Sequence, residues 1–99
     1  MFFSKKEQII IEKFYKEVKN LTENDVLLLI WGNSKVEATF DTCFDDFDEN
    51  NESDEFTSFV FKKKEITGTP PIEISEDNFF IINYHNFPED IVLNNVKIN

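Results

Sequence analysis

Apolar residues recur at helical spacing near the start of the chain, where Ile10, Ile11, Phe14, Tyr15 and Val18 form a stripe between lysines and glutamates. Ser4 with Glu7 three residues later is a capping-box pattern, and Lys16 and Lys19 suit the negative end of a helix dipole. The pattern predicts a helix from Lys5 to about Asn20 that buries Ile10, Phe14 and Val18, with Glu12 and Lys16 placed to pair one turn apart. Val26 to Trp31 is a short continuous apolar run, which by its length reads as a strand covered on both faces. Gly32-Asn33-Ser34 supplies a turn, and Lys35 to Phe44 then alternates. Val36, Ala38, Phe40, Thr42 and Phe44 fall on one side, with Glu37, Thr39, Asp41 and Cys43 on the other, so the two runs form a hairpin.

Residues 45 to 55 hold seven acids, no base and one apolar residue, Phe47, and their self-repulsion predicts a loop. Phe56-Thr57-Ser58-Phe59-Val60-Phe61 also fits a helical stripe, but its aromatic and β-branched content favours a strand, which Lys62-Lys63-Lys64 would end. Gly68-Thr69-Pro70-Pro71 continues neither regular structure, and Ile72-Glu73-Ile74 has room only for an edge strand. After the turn cluster Ser75 to Asn78, Phe79 to Tyr84 has the strongest strand propensity in the chain and is assigned to the centre of the sheet. Asp90 to Ile98 is a last short strand or a docked tail, limited by Asn94-Asn95. With no internal repeat and no boundary signal, residues 1–99 form a single α+β domain, an N-terminal helix packed on a mainly antiparallel sheet of four to five strands.

Charge changes this picture more than composition does. The first forty residues hold six lysines and six acids, whereas residues 41–99 hold fourteen acids and four lysines, which accounts for the whole formal charge of −10. A one-sided negative potential repels nucleic acid and anionic lipid and steers cationic surfaces toward it, so the expected partner is a basic protein rather than DNA, RNA or membrane. No apolar run approaches the ~20 residues of a membrane helix. The N-terminus lacks the order of a secretory signal, and a cytoplasmic location follows as the expectation. All ten basic residues are lysine and Asn, Ile and Phe are abundant, the usage of an AT-rich bacterial genome.

Candidate chemistry is sparse. Cys43 is the sole cysteine, so neither an internal disulfide nor a cysteine-based metal cluster can form, and neighbouring acids oppose a reactive thiolate. His85 is the sole histidine and no sequence pattern gives it a nucleophile. Phosphate-binding, dinucleotide-binding and paired-histidine motifs are absent, and neither a catalytic residue, a cofactor nor a metal is assigned. Read as a calcium loop from Asp46, the acidic run has Asn51 where glycine is needed and Thr57 where the bidentate glutamate belongs. The surface assigned to partner binding is therefore Asp41, Asp45, Asp46, Phe47, Asp48, Glu49, Glu52, Asp54 and Glu55. A phenylalanine among carboxylates has the make-up of an anchor ringed by steering charge.

The early amphipathic helix, the strand ending Ile30-Trp31-Gly32, the strand entering Thr39-Phe40-Asp41-Thr42 and the segment from Ile74 to Ile81 together resemble the small acidic immunity proteins of bacterial polymorphic toxins. Those of contact-dependent growth inhibition are included in that likeness. The resemblance implies a protein that binds one cognate toxin domain, often a basic nuclease, and blocks its active site or substrate path. Two other classes share the electrostatics: a nucleic-acid mimic of phage or mobile-element origin, and an acidic divalent-ion-binding or structural subunit. Oligomeric state stays open, because an Ile72-Glu73-Ile74 edge would be free to pair.

Overall fold

The computed structural model describes residues 3–99, with the side chains of residues 51–53 outside that description. Helix α1 (Lys5–Glu17) is followed by a 3₁₀ turn (Val18–Asn20) and strands β1 (Val26–Trp31), β2 (Ser34–Asp48), β3 (Asn51–Thr67), β4 (Phe79–Ile82), β5 (Asp90–Leu93) and β6 (Val96–Lys97). The strands form one antiparallel sheet in the order β4-β3-β2-β1-β5-β6. This is the α+β arrangement that the sequence predicts, with six strands instead of four to five.

Ser4 caps α1 by accepting the Glu7 N–H at 3.1 Å. The reciprocal arm of the capping box is displaced by one residue, since Glu7 Oε1 accepts the N–H of Phe3, not of Ser4. Its other oxygen, Oε2, accepts the Thr57 N–H of β3 at 2.6 Å, and the whole Glu7 side chain is buried. The helix is thereby turned so that Glu7, Ile11 and Phe14 face the sheet. Ile11 takes the core position expected of Ile10, which is 36% exposed, and Val18 is partly buried as expected. Phe14 meets Phe59 edge-on at 5.2 Å and Phe87 at 5.9 Å, so one ring joins the helix, β3 and the loop before β5. Directly paired Phe61 and Phe80 stack at 5.5 Å below it.

β1 and β2 are joined by the two-residue turn Gly32-Asn33. Gly32 is the first central residue, with φ +55°, a conformation that suits glycine. Asn94 and Asn95, at φ +52° and +68°, make the corresponding tight turn between β5 and β6. β1 alternates, with Leu27 and Leu29 buried and Val26 exposed, so it is not covered equally on both faces.

Several expectations are corrected. Residues 45–55 are not a loop, because β2 continues to Asp48 and β3 starts at Asn51. Repulsion is avoided by register: Asp45 lies opposite Thr57, Asp46 opposite Phe56, Glu55 opposite Phe47 and Asp48 opposite Asn51, so no acid directly faces another there. Lys62-Lys63-Lys64 does not end β3, which runs to Thr67, with Lys64 as the extra residue of a bulge opposite Glu37 and Ala38. A second bulge at Asp41 reverses the alternation of β2. Cys43 packs against the core while Phe44 turns outward, the opposite of the sequence pattern. Ile72-Glu73-Ile74 is not a strand, although Ile72 and Ile74 pack against the core. Phe79 to Ile82 forms an edge strand, not a central one, and its apolar density reflects burial of Phe80 and Ile82 under the helix layer. The residues 83–89 after it are held as a loop by Asn86, which accepts the Asn83 N–H and whose carbonyl accepts Trp31 Nε1 at 2.7 Å.

Candidate partner-binding surface

β1 pairs β2 only as far as Thr39, and β4 pairs β3 only from Phe59. Beyond those points, residues 44–48 and 51–58 form a two-stranded ribbon that, with its turn, carries the candidate acids other than Asp41. Its register with β4 fixes how its main chain points. Lys63 donates to the Asn78 carbonyl, so Phe61 with Phe80 and Phe59 with Ile82 are the hydrogen-bonded pairs, and Thr57 is the next outward donor of that series. Glu7 takes the Thr57 N–H where β4 has ended.

The structure divides the candidate residues into two groups. Asp46 accepts the Phe47 N–H at 2.8 Å and the Ser58 hydroxyl at 3.1 Å, Asp48 accepts the Asn50 N–H at 2.8 Å, and all three of Asp46, Asp48 and Asp54 are half-buried. Asp54 receives the Tyr84 hydroxyl at 2.8 Å and faces His85 Nε2 at 3.1 Å. These carboxylates brace the ribbon. Asp41, Asp45, Glu49 and Glu55 are exposed, as are Phe47 at 54% and Phe44 at 40%. Glu52 lies in β3, and its side chain is outside the described residues.

Sequence reasoning missed three contributors. Glu7 was read only as a cap, Phe44 was weighed as an aromatic beside the acids but assigned to the core, and Tyr84 was read only as the end of a strand. Tyr84 and His85 lie 4.0 Å apart, with the Phe56 ring edge-on to His85 at 5.0 Å, so the β4–β5 loop grips the outer part of the ribbon through Asp54. The hydrogen bond to Asp54, then burial, then the negative charges of Asp54, Glu7 and Asp48 push the Tyr84 phenol up from 10.0 to about 12. A raised folded value means the grip is intact below about pH 10, the unfolded value, and is lost as pH rises through about 12. In a Tyr15→Phe background, where Tyr84 is the sole tyrosine, ultraviolet titration should give a midpoint near 12, and Asp54→Asn should move it toward 10. A midpoint near 10 before that change would contradict the bond.

The same contacts describe what His85 does. Its ring is held between an acid and two aromatic rings on an exposed loop, and an exposed pair of this kind contributes ~0–1 kcal/mol. His85→Ala and Cys43→Ser should each leave unfolding free energy within ~1 kcal/mol and partner binding unchanged. Loss of binding by either folded variant would point to chemistry at that residue.

On the opposite edge of the sheet, an open groove of about 630 Å³ runs between β4 and the 70–75 segment, floored by Val60 and Ile81 and walled by Pro70, Pro71 and Ile72. It lacks the charge of the ribbon, with Glu73 its one acid. Among the described residues, no three His, Cys, Asp or Glu side chains gather as a metal site, and no helix is long and apolar enough to cross a membrane. Comparison with family models, with curated proteins and with solved structures gave no match to this chain.

Proposed function

We propose that this chain is an immunity-type protein that binds and neutralises one cognate basic toxin domain in the bacterial cytoplasm, acting by obstruction and not by catalysis. The observation that carries this reading is the far half of the β2–β3 hairpin, on which outward Asp41, Asp45, Glu49 and Glu55 accompany exposed Phe44 and Phe47. Carboxylates alone would serve solubility. Aromatic side chains left uncovered beside them supply what a protein interface needs at its centre, and the acids supply attraction and orientation. A nuclease domain fits as the partner because a surface that holds nucleic acid is itself cationic.

The second reading, a nucleic-acid mimic, relies on the same carboxylates but has no use for the phenylalanines. The test is protection. The C-terminal domain encoded by the gene directly upstream is expressed alone and together with this chain. Growth arrest relieved by co-expression, with recovery of a stoichiometric complex that weakens as salt is raised, is the expected result. A toxic neighbour that this chain neither binds nor silences would overturn the proposal.

A further inference from the structure

Resting on the acidic-surface reading, and adding how the partner engages it, we infer that the outer edge of β2 from Cys43 to Phe47 receives an extended lysine- or arginine-bearing segment of the partner as an additional strand.

The direction of the main chain carries the argument. Thr57, Phe59 and Phe61 direct their N–H and C=O groups toward the β4 side, so Phe56, Ser58 and Val60 direct theirs toward β2. Their partners Asp46, Phe44 and Thr42 are therefore the hydrogen-bonded residues of that ladder. Cys43, Asp45 and Phe47 then point their main-chain groups away from β3, to the side that β1 occupies only as far as Thr39. Among the described residues, no strand pairs β2 on that side from Thr42 onward.

On the β4 side the chain closes its exposed main-chain groups. On β4, Phe79 gives its N–H to Ser75 Oγ and takes the Ser75 N–H on its carbonyl, while Asn86 covers the Ile81 carbonyl and the Asn83 N–H. On β3, Glu7 covers Thr57. On β2 the covering is slight: Phe47 N–H turns to the neighbouring Asp46 carboxylate, and Thr42 Oγ1 reaches the Cys43 carbonyl at 3.5 Å. Among the described residues, no hydrogen bond reaches either main-chain group of Asp45, which lies between them.

Charge selects the occupant. Two copies of this chain pairing edge to edge would set Asp41 and Asp45 of one against the same residues of the other, and such like-charge pairs are unfavourable. A cationic strand meets those acids as counter-charges, lays its alternate side chains beside Phe44, and gains main-chain bonds that charge alone does not provide.

The probe is a blocked nine-residue peptide alternating lysine with valine and threonine; spermine serves as charge without a strand. Peptide addition should slow amide exchange at Cys43 and Asp45 at least tenfold, read residue by residue by NMR. Asp45→Pro deletes an outward N–H but no ladder bond, and should weaken the peptide at least tenfold relative to Asp45→Asn, with spermine unaffected by the choice. If Asp45→Pro fails to fold, the exchange measurement on the unmodified protein decides. Peptide binding with no added protection, or equal binding by the Pro and Asn variants, overturns strand addition while leaving the acidic surface intact. Failure of both peptide and spermine to bind at low salt overturns both readings. Sedimentation showing a dimer that excludes the peptide assigns the edge to a second copy and overturns the cationic occupant.

Discussion

Replacing Glu7 by alanine is expected to cost ~3–5 kcal/mol of unfolding free energy, from a lost buried acceptor and a cavity together. Both Glu7 oxygens accept main-chain donors, Phe3 N–H at 3.0 Å and Thr57 N–H at 2.6 Å. Stripping an interior N–H of its acceptor costs about 1–3 kcal/mol, and the space left under α1 adds a term that grows with its volume. Glu7→Gln keeps the shape but has one acceptor oxygen, so a loss of ~1–2 kcal/mol is expected as one donor is matched with an amide NH₂. Denaturant unfolding measures both variants. Exchange at Thr57 should accelerate more than at the Phe61 and Phe80 pair, because the defect sits where β4 has ended. If Glu7→Ala loses less than ~1 kcal/mol, the carboxylate does not hold the helix to the sheet.

That residue also shows where the sequence stopped being informative. Ser4 and Glu7 were legible as a helix start, since a cap is a local pattern, and so were the helix, β1, its tight turn and the antiparallel sheet. The second partner of Glu7 is fifty residues away in sequence, and no local pattern announces it. With that bond formed, the helix rotates to bury Ile11, leaving Ile10 and Ile9 at the surface, Ile9 at 81% exposure. The same limit explains β2. One extra residue at Asp41 inverts every later side chain, and period-two alternation read along one strand does not reveal a bulge that depends on the facing strand.

The acidic run is the more instructive failure. Seven acids in eleven residues read as self-repelling because charge was counted along the chain, whereas a ribbon arranges charge across it. Opposite Asp45, Asp46, Asp48 and Glu55 stand Thr57, Phe56, Asn51 and Phe47, and Asp46, Asp48 and Asp54 accept hydrogen bonds. The charge that remains outward is smaller than the sequence count, and more specific. It also changes which residues a binding experiment ought to address: Asp46, Asp48 and Asp54 support the ribbon, so removing them mixes folding with recognition.

The outward set allows that separation. Replacing Asp41, Asp45, Glu49 and Glu55 together by Asn or Gln removes long-range attraction and no hydrogen bond among those described, so association with the basic partner should slow ~10-fold or more at low salt. Because a charge is screened over ~8 Å at physiological ionic strength, the difference from the unmodified protein should shrink as salt rises, with dissociation little changed. Phe47→Ala should do the reverse. At 54% exposure the ring contributes little to the fold, and an anchor that fills a pocket on the partner is expected to be worth ~2 kcal/mol or more, which is a roughly 30-fold faster dissociation with encounter intact. Rates measured at low and high salt distinguish the two, using the protection assay's toxin domain as partner. Phe44→Ala tests the other uncovered ring on the opposite face of the ribbon, and unequal effects of the two would show which face is turned to the partner. Should the neutralised variant associate at the unmodified rate at every salt concentration, the ribbon is a solvated extension of the sheet and recognition lies elsewhere on the molecule.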